Sequence, residues 1–246
     1  MKSSRLLFLL LVWPLLTGCG HKQARAKVPP PPDIPPGQTT AKSNHSHSPH
    51  TTRGENGTIV VDTAKPIRTE MGLASWYGPP YHNRRGANGE VYDMNGMTAA
   101  HRTLPLNSIV RVTNVKTGHS AIVRITDRGP FIGERMLDLS LAAAKAVDVW
   151  APGTAWVKMD VLESPAPLDS GGKWAVQIGA FDTLQAATEM KQSLIHRYHP
   201  ARVLEFSGPT GEWVRVRVQN DDHDLAEEIS RSISTAQGGV FLVRLD

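Results

Sequence analysis

The chain has 246 residues, a formal charge of +4 and a single cysteine, Cys19. One cysteine excludes an intramolecular disulfide framework. The excess positive charge lies near the N-terminus, because residues 69–246 hold 18 Lys and Arg against 20 Asp and Glu. The basic footprint of a nucleic-acid-binding domain is therefore missing, and no nucleic-acid partner is expected.

At the start, Lys2 and Arg5 precede an apolar run, LLFLLLVWPLL, that is too short to remain as a membrane-spanning helix. Small residues come next, directly before Cys19. That pattern reads as a secretory signal over residues 1–18. The tetrapeptide Leu16-Thr17-Gly18-Cys19 resembles a bacterial lipobox, which implies cleavage before Cys19 and lipidation of its thiol. Gly20, with no aspartate beside the anchor, implies by analogy the outer membrane, with the chain facing the periplasm. Residues 19–68 read as the lipidated cysteine and a tether. KVPPPPDIPPG is proline-rich and extended, and TTAKSNHSHSPHTTRGENG has almost nothing to bury. His45, His47 and His50 in that tract read as a solvated run, with weak metal binding as the other reading.

Residues 69–163 form the first expected domain. Short β-like runs fall at 73–77, 109–114, 121–126 and 156–162, and in SIVRVTNV and SAIVRIT apolar and polar residues alternate as in half-buried strands. One helix is expected in DLSLAAAKAV, with Ser140 as its N-cap. The expected fold is an all-β barrel with a helix attached. Residues 164–172, SPAPLDSGG, read as a linker. Residues 173–246 then give a strand in WAVQIGAF, a helix ended by Pro200, strands in ARVLEF and EWVRVRV, a helix running towards Gly238 and Gly239, and a last strand in VFLVRL. Strand-helix-strand-strand-helix-strand is the ferredoxin-like order, a small α+β unit (βαββαβ).

Within the barrel, the segment ITDRGPF raises a choice for Asp127. Asp, Gly and Pro in a row favour a turn, whereas an acid at the end of an apolar strand is placed to move a proton. Glu90 follows Asn88-Gly89, a hairpin signal, so a solvated turn residue is its other reading. His101 is either a site residue or a structural histidine bonded to a backbone carbonyl. Arg128 serves a strand end or a substrate oxygen. Alternation allows only one of Trp76 and Tyr77 to be available for stacking on a sugar. No metal-ligand spacing, phosphate loop or Ser-His-Asp arrangement stands out, so neither a metal nor a cofactor is expected.

Taken together, GLASWYG, ANGEVYDMNGMTAAHRTLP, VRVTN, DRGPF and LDLSLAAA resemble the rare lipoprotein A family, which carries a double-psi β-barrel related to that of the expansins. Residues 173–246, opening with WAVQIGAF, resemble a sporulation-related repeat, the SPOR domain. The resemblance implies a septal peptidoglycan lytic transglycosylase, read here as endolytic, acting on glycan strands stripped of stem peptides. The muramyl C6 hydroxyl attacks its own anomeric carbon, leaving a 1,6-anhydro end. Because the nucleophile belongs to the substrate, one acid can suffice where a hydrolase uses two carboxylates.

Asp127 is the implied acid, His101 its orienting partner, and Glu90 a stabiliser of positive charge or a helper in proton transfer. Arg128 and Tyr77 are expected to contact the barrel's substrate. In the repeat, Gln177, Phe181, Trp213 and Arg215 are expected to contact glycan, with core packing as the alternative for the two aromatic residues. Partners implied are denuded peptidoglycan strands, the membrane through Cys19, and division-site proteins. A non-catalytic septal wall-binding scaffold is the competing reading, since expansin-type barrels loosen polysaccharide without cutting it. A hydrolytic product is a third. The chain departs from the family's usual pattern at Asn83, where Gly is common, at Gly86, where Thr is common, and at VQNDD, where Gly-Pro-Phe usually follows the third repeat strand.

Overall fold

A computed structural model of the chain describes residues 65–246 apart from Pro200, together with a short pair of strands, Thr52–Arg53 and Ile59–Val60. The signal, Cys19 and the three tether histidines lie outside the described residues.

Six strands close into a barrel: β1 (Arg68–Trp76), β2 (Thr98–His101), β3 (Ile109–Asn114), β4 (Ser120–Asp127), β5 (Arg135–Leu139) and β6 (Ala155–Glu163), in the spatial order β1-β5-β2-β4-β3-β6. The β1–β5 and β2–β4 pairs are parallel and the others antiparallel, the mixed pairing of a double-psi barrel. Alternation explains the closure. Val110, Val112, Val123, Ile125, Leu137, Leu139, Val157, Met159 and Val161 all turn inward and are buried, while their neighbours face out.

β2 and β5 are additions to the expected strands. Both are short, and β2 reads TAAH, whose alanines carry little β preference; its place is fixed by pairing on both sides rather than by local propensity. Helix α1 (Leu141–Ala146) begins as expected, with Ser140 Oγ accepting from Ala143 N at 3.2 Å.

The second domain follows the expected order: β7 (Trp174–Phe181), α2 (Leu184–Arg197), β8 (Arg202–Gly208), β9 (Gly211–Arg217), α3 (His223–Ser232) and β10 (Gly239–Arg244). The antiparallel sheet runs β8-β9-β7-β10. Its inner face buries Val176, Ile178, Val214 and Val216 with Ala187 and Leu194 of α2 and Ala226 and Ile229 of α3. Helix α3 ends earlier than expected, because Ile233 adopts an extended conformation. Gly238 then passes so close to β7 that an added Cβ would lie 1.9 Å from the Gly179 carbonyl oxygen.

Candidate active site

Asp127 is the last residue of β4, where the chain leaves the barrel through Arg128-Gly129-Pro130. Gly129 has φ +144°, a conformation that side chains oppose, so the turn directly after the acid depends on glycine. The hairpin after β1 folds back onto this end. It closes through Gly86 N donating to Glu90 O at 2.8 Å and Tyr92 N to Arg84 O at 2.8 Å, and Asn88 N donates to Thr126 O at 3.2 Å. Asn83, where the family commonly has Gly, sits at φ +64° in that hairpin. At Gly86 a Cβ would lie 2.9 Å from the Thr126 carbonyl oxygen, so this chain's glycine lets the hairpin approach β4 closely.

That docking shapes the carboxyl. Asp127 Oδ1 accepts from Ala87 N at 2.9 Å and from Arg128 N at 2.8 Å, while Oδ2 accepts no hydrogen bond among the described residues. Burial raises the carboxyl above the ordinary aspartate value, and the two backbone donors and the Arg128 charge oppose it without cancelling it. The result is a carboxyl anchored by one oxygen, with the other open to a cleft of about 590 Å³.

A second carboxyl shares this cleft. Ala100 of β2 pairs with Asp127 of β4 on one side and with Asp138 of β5 on the other. Register partners project from the same face, so both acids flank one alanine with α-carbons about 10 Å apart, two strand spacings. The alanine methyl leaves the floor between them low. Asp138 accepts from Ser75 Oγ at 2.6 Å and from Arg135 Nη2 at 3.2 Å, and burial raises its carboxyl too. Asp138 is not among the sequence candidates. Its signal is the single acid on the outward parity of RMLDL, between the inward Leu137 and Leu139.

The other candidates are distributed differently. Glu90 is exposed and bonded through both oxygens to Arg124, at 2.9 and 2.7 Å, and this guanidinium holds its carboxyl below the usual range. It meets Asp127 in a smaller hollow of about 60 Å³ beside the main cleft. Tyr77 lines the main cleft and packs on Tyr92, whose phenol burial pushes up to about 12. Trp76 instead packs against the barrel core, as alternation requires of one of the pair.

The structure sets His101 and Arg128 against main-chain groups. His101 Nδ1 accepts from Thr103 N at 3.2 Å and Leu104 N at 3.0 Å, and Nε2 lies 4.0 Å from Glu70. The ring makes no hydrogen bond with Asp127 among the described residues. Its burial, with Arg102 and Arg128 nearby, pushes it down to about 3 and keeps it neutral. Arg128 turns its guanidinium onto carbonyls, donating from Nη1 to His101 O at 3.0 Å and Leu104 O at 2.7 Å, and from Nη2 to Asp246 O at 2.6 Å. It lines the cleft as a brace held through Nη1 and Nη2, while its buried Nε makes no hydrogen bond among the described residues.

In the second domain, Phe181 is a core residue under the helices. A bulge between Glu212 and Trp213 shifts the pairing and reverses the side-chain parity at the end of β7, a change that period-two reasoning cannot see. Trp213 is buried as well, its ring tilted against Phe131 of the barrel at 5.5 Å between centroids, with part of it lining the cleft. Gln177 Oε1 accepts from Arg215 Nε and Nη2 at 3.2 and 2.6 Å, and both residues line the cleft. Among the described residues, no three His, Cys, Asp or Glu side chains gather as metal ligands.

A closed six-strand barrel with two desolvated acids in one cleft, followed by a small helix-backed sheet, defines a double-psi barrel joined to a SPOR domain. Residues 69–159 match the lytic transglycolase family and residues 170–244 the SPOR domain. In these two domains the chain is similar to proteins of the rare lipoprotein A family. It is 36% identical over 172 residues to an endolytic peptidoglycan transglycosylase RlpA of Campylobacter jejuni, a match covering 60% of this chain and 61% of the relative. The RlpA of Pseudomonas aeruginosa is 56% identical over 93 residues, covering 38% of this chain and 27% of the relative. That of Neisseria meningitidis is 48% identical over 117 residues, covering 47% and 49%. The chain thus spans less than two thirds of the length of each of these relatives.

Proposed function

We propose that the chain is an endolytic peptidoglycan lytic transglycosylase that cuts the bond between N-acetylmuramic acid and N-acetylglucosamine, preferably in peptide-denuded strands. The observation that carries this reading is Asp127: a desolvated carboxyl fixed through Oδ1 with Oδ2 open to the cleft. Its proton passes to the glycosidic oxygen as the C1–O bond breaks. The muramyl C6 oxygen then bonds to C1, and the C6 hydroxyl proton returns to Asp127, so no water is consumed. Asp138, on the same floor, meets the positive charge that develops at the anomeric carbon. Glu90, ionised on Arg124, adds negative field from the adjoining hollow and fixes the hairpin that donates to Asp127. His101 and Arg128 hold the strand ends around the acid. The names of the relatives support the substrate class.

The same proposal includes a lipid anchor at Cys19, attachment to the outer membrane facing the periplasm, and work at the division septum with division-site proteins as partners. These rest on the signal, the lipobox resemblance and the SPOR domain. Mass spectrometry of products from denuded glycan strands tests the reaction. Anhydromuramyl ends that disappear with Asp127→Asn are expected. Reducing ends would make the protein a hydrolase, and binding without any cut would leave a wall-binding scaffold.

A further inference from the structure

The sheet of the SPOR domain has one face under its helices and one without them. Pairing sets Leu204, Arg215, Gln177 and Phe241 in one row of the open face, and Phe206, Trp213, Gly179 and Gly239 in the next. The barrel occupies part of this face. Phe131 lies 5.5 Å from Trp213 and 5.6 Å from Phe241, and the Arg102 guanidinium sits 5.5 Å over Phe241. Backbone bonds reinforce the contact: Arg244 N donates to Arg102 O at 3.0 Å and Leu106 N to Asp246 O at 3.1 Å. Arg128, the residue after the acid, donates to that same Asp246 carbonyl. The sheet is thus fixed to the very segment that leaves Asp127.

The part of the face that the barrel leaves uncovered borders the cleft. Arg215, Gln177 and Phe206 line the same space as Asp127 and Asp138. Gln177 brackets the Arg215 guanidinium through Nε and Nη2, and Phe206 supports it at 4.8 Å, so the fork is held in place with Nη1 making no hydrogen bond among the described residues. Across the cleft, Arg84, Arg85 and Arg135 add further positive charge. Such a lining suits a polymer that is both polar and anionic. A glycan strand freed of stem peptides is such a polymer, because each muramyl lactyl group then ends in a free carboxylate.

We propose that the open face of the SPOR sheet is the second wall of the catalytic cleft, where Arg215 binds a lactyl carboxylate of the same strand whose bond lies at Asp127. This rests on the glycan-cutting function proposed for the chain. It gives the preference for denuded strands a cause inside the cleft: a stem peptide removes the anion that the arginine recognises. Planar guanidinium and carboxylate groups match in two parallel hydrogen bonds, so a lysine is an imperfect replacement.

The test uses the full chain with purified denuded strands, and the same strands with their lactyl carboxylates amidated. In an Asp127→Asn background, which stops turnover, Arg215→Ala should weaken binding of denuded strands about tenfold to a hundredfold, the worth of a hydrogen bond to a charged group. Arg215→Lys, which keeps charge and stem, should fall between. Amidated strands should bind Arg215→Ala and its parent alike. In the active chain, KM should rise by a matching factor with kcat within about twofold. Unchanged binding of denuded strands, or equal weakening on amidated ones, overturns the carboxylate assignment. Weakened binding with an unmoved KM overturns the shared cleft. A chain that binds and never cuts sinks the enzymatic reading instead, and the binding comparison still decides whether Arg215 reads the carboxylate.

Discussion

The two walls of the cleft are built on opposite principles. The barrel wall presents two desolvated carboxyls near strand ends, Asp127 tied through Oδ1 alone and Asp138 through both oxygens, each with its titration moved upward by burial. The sheet wall presents a bracketed arginine and aromatic rings on the middle of a flat face. Its two central rows, with Leu204, Arg215, Gln177 and Phe241 in one and Phe206 and Trp213 in the other, carry no acid. Charge that must change during a reaction sits on the first wall, and charge that must stay constant sits on the second. The difference separates chemistry from holding within one space.

Four substitutions break or sharpen that contrast. Asp127→Asn removes the proton donor and leaves the amide oxygen to accept from Ala87 and Arg128, so the rate should fall about a hundredfold to ten-thousandfold while glycan binding persists. Glycan-release assays beside binding isotherms check it. Phe181→Ala should cost about 3–5 kcal/mol of stability, because the ring is buried in the SPOR core. Denaturant unfolding measures this, and a specific loss of glycan affinity with intact stability would restore Phe181 to the binding surface. Asp138→Asn should lower kcat about tenfold to a hundredfold at constant KM, since it acts on charge that exists only in the transition state. A changed KM alone would make it a binding residue. Glu90→Gln should lower kcat about tenfold without moving the high-pH limb of the rate profile, because that carboxyl is already ionised on Arg124.

The smallest effect is on stability against pH. Burial raises the Asp127 carboxyl in the folded chain, so the native state keeps a proton that the unfolded chain has lost between the ordinary value of 3.8 and the folded one. Stability therefore declines as pH rises through that window. Asp127→Asn removes the penalty, so the variant should melt higher than its parent at neutral pH, with the gain gone below the ordinary value. A gain that grows as pH falls would reverse the assignment.

Much of the fold is legible in the sequence because it rests on alternation and caps. SIVRVTNV and SAIVRIT read directly as β3 and β4, and Ser140 caps α1 as its type suggests. β2 and β5 are not legible, since they are short and owe their place to neighbours distant in sequence. In the site, Asp127 is marked by its position between strand and turn. Asp138 stays hidden because its meaning comes from sharing Ala100 with Asp127, a register fact. A single bulge turns Phe181 from the expected binding face into the core. His101 and Arg128 do belong to this end of the barrel, but their partners are carbonyls and amides, which carry no sequence mark.

The most direct test of the account is the titration of Asp127 itself, followed by carbon NMR of its carboxyl in the full chain and set beside the pH profile of kcat. The account predicts a midpoint above the ordinary aspartate value and a rate that falls with rising pH at that same midpoint. A carboxyl that titrates at or below the ordinary value, or a rate indifferent to its ionisation, would contradict the role given to Asp127.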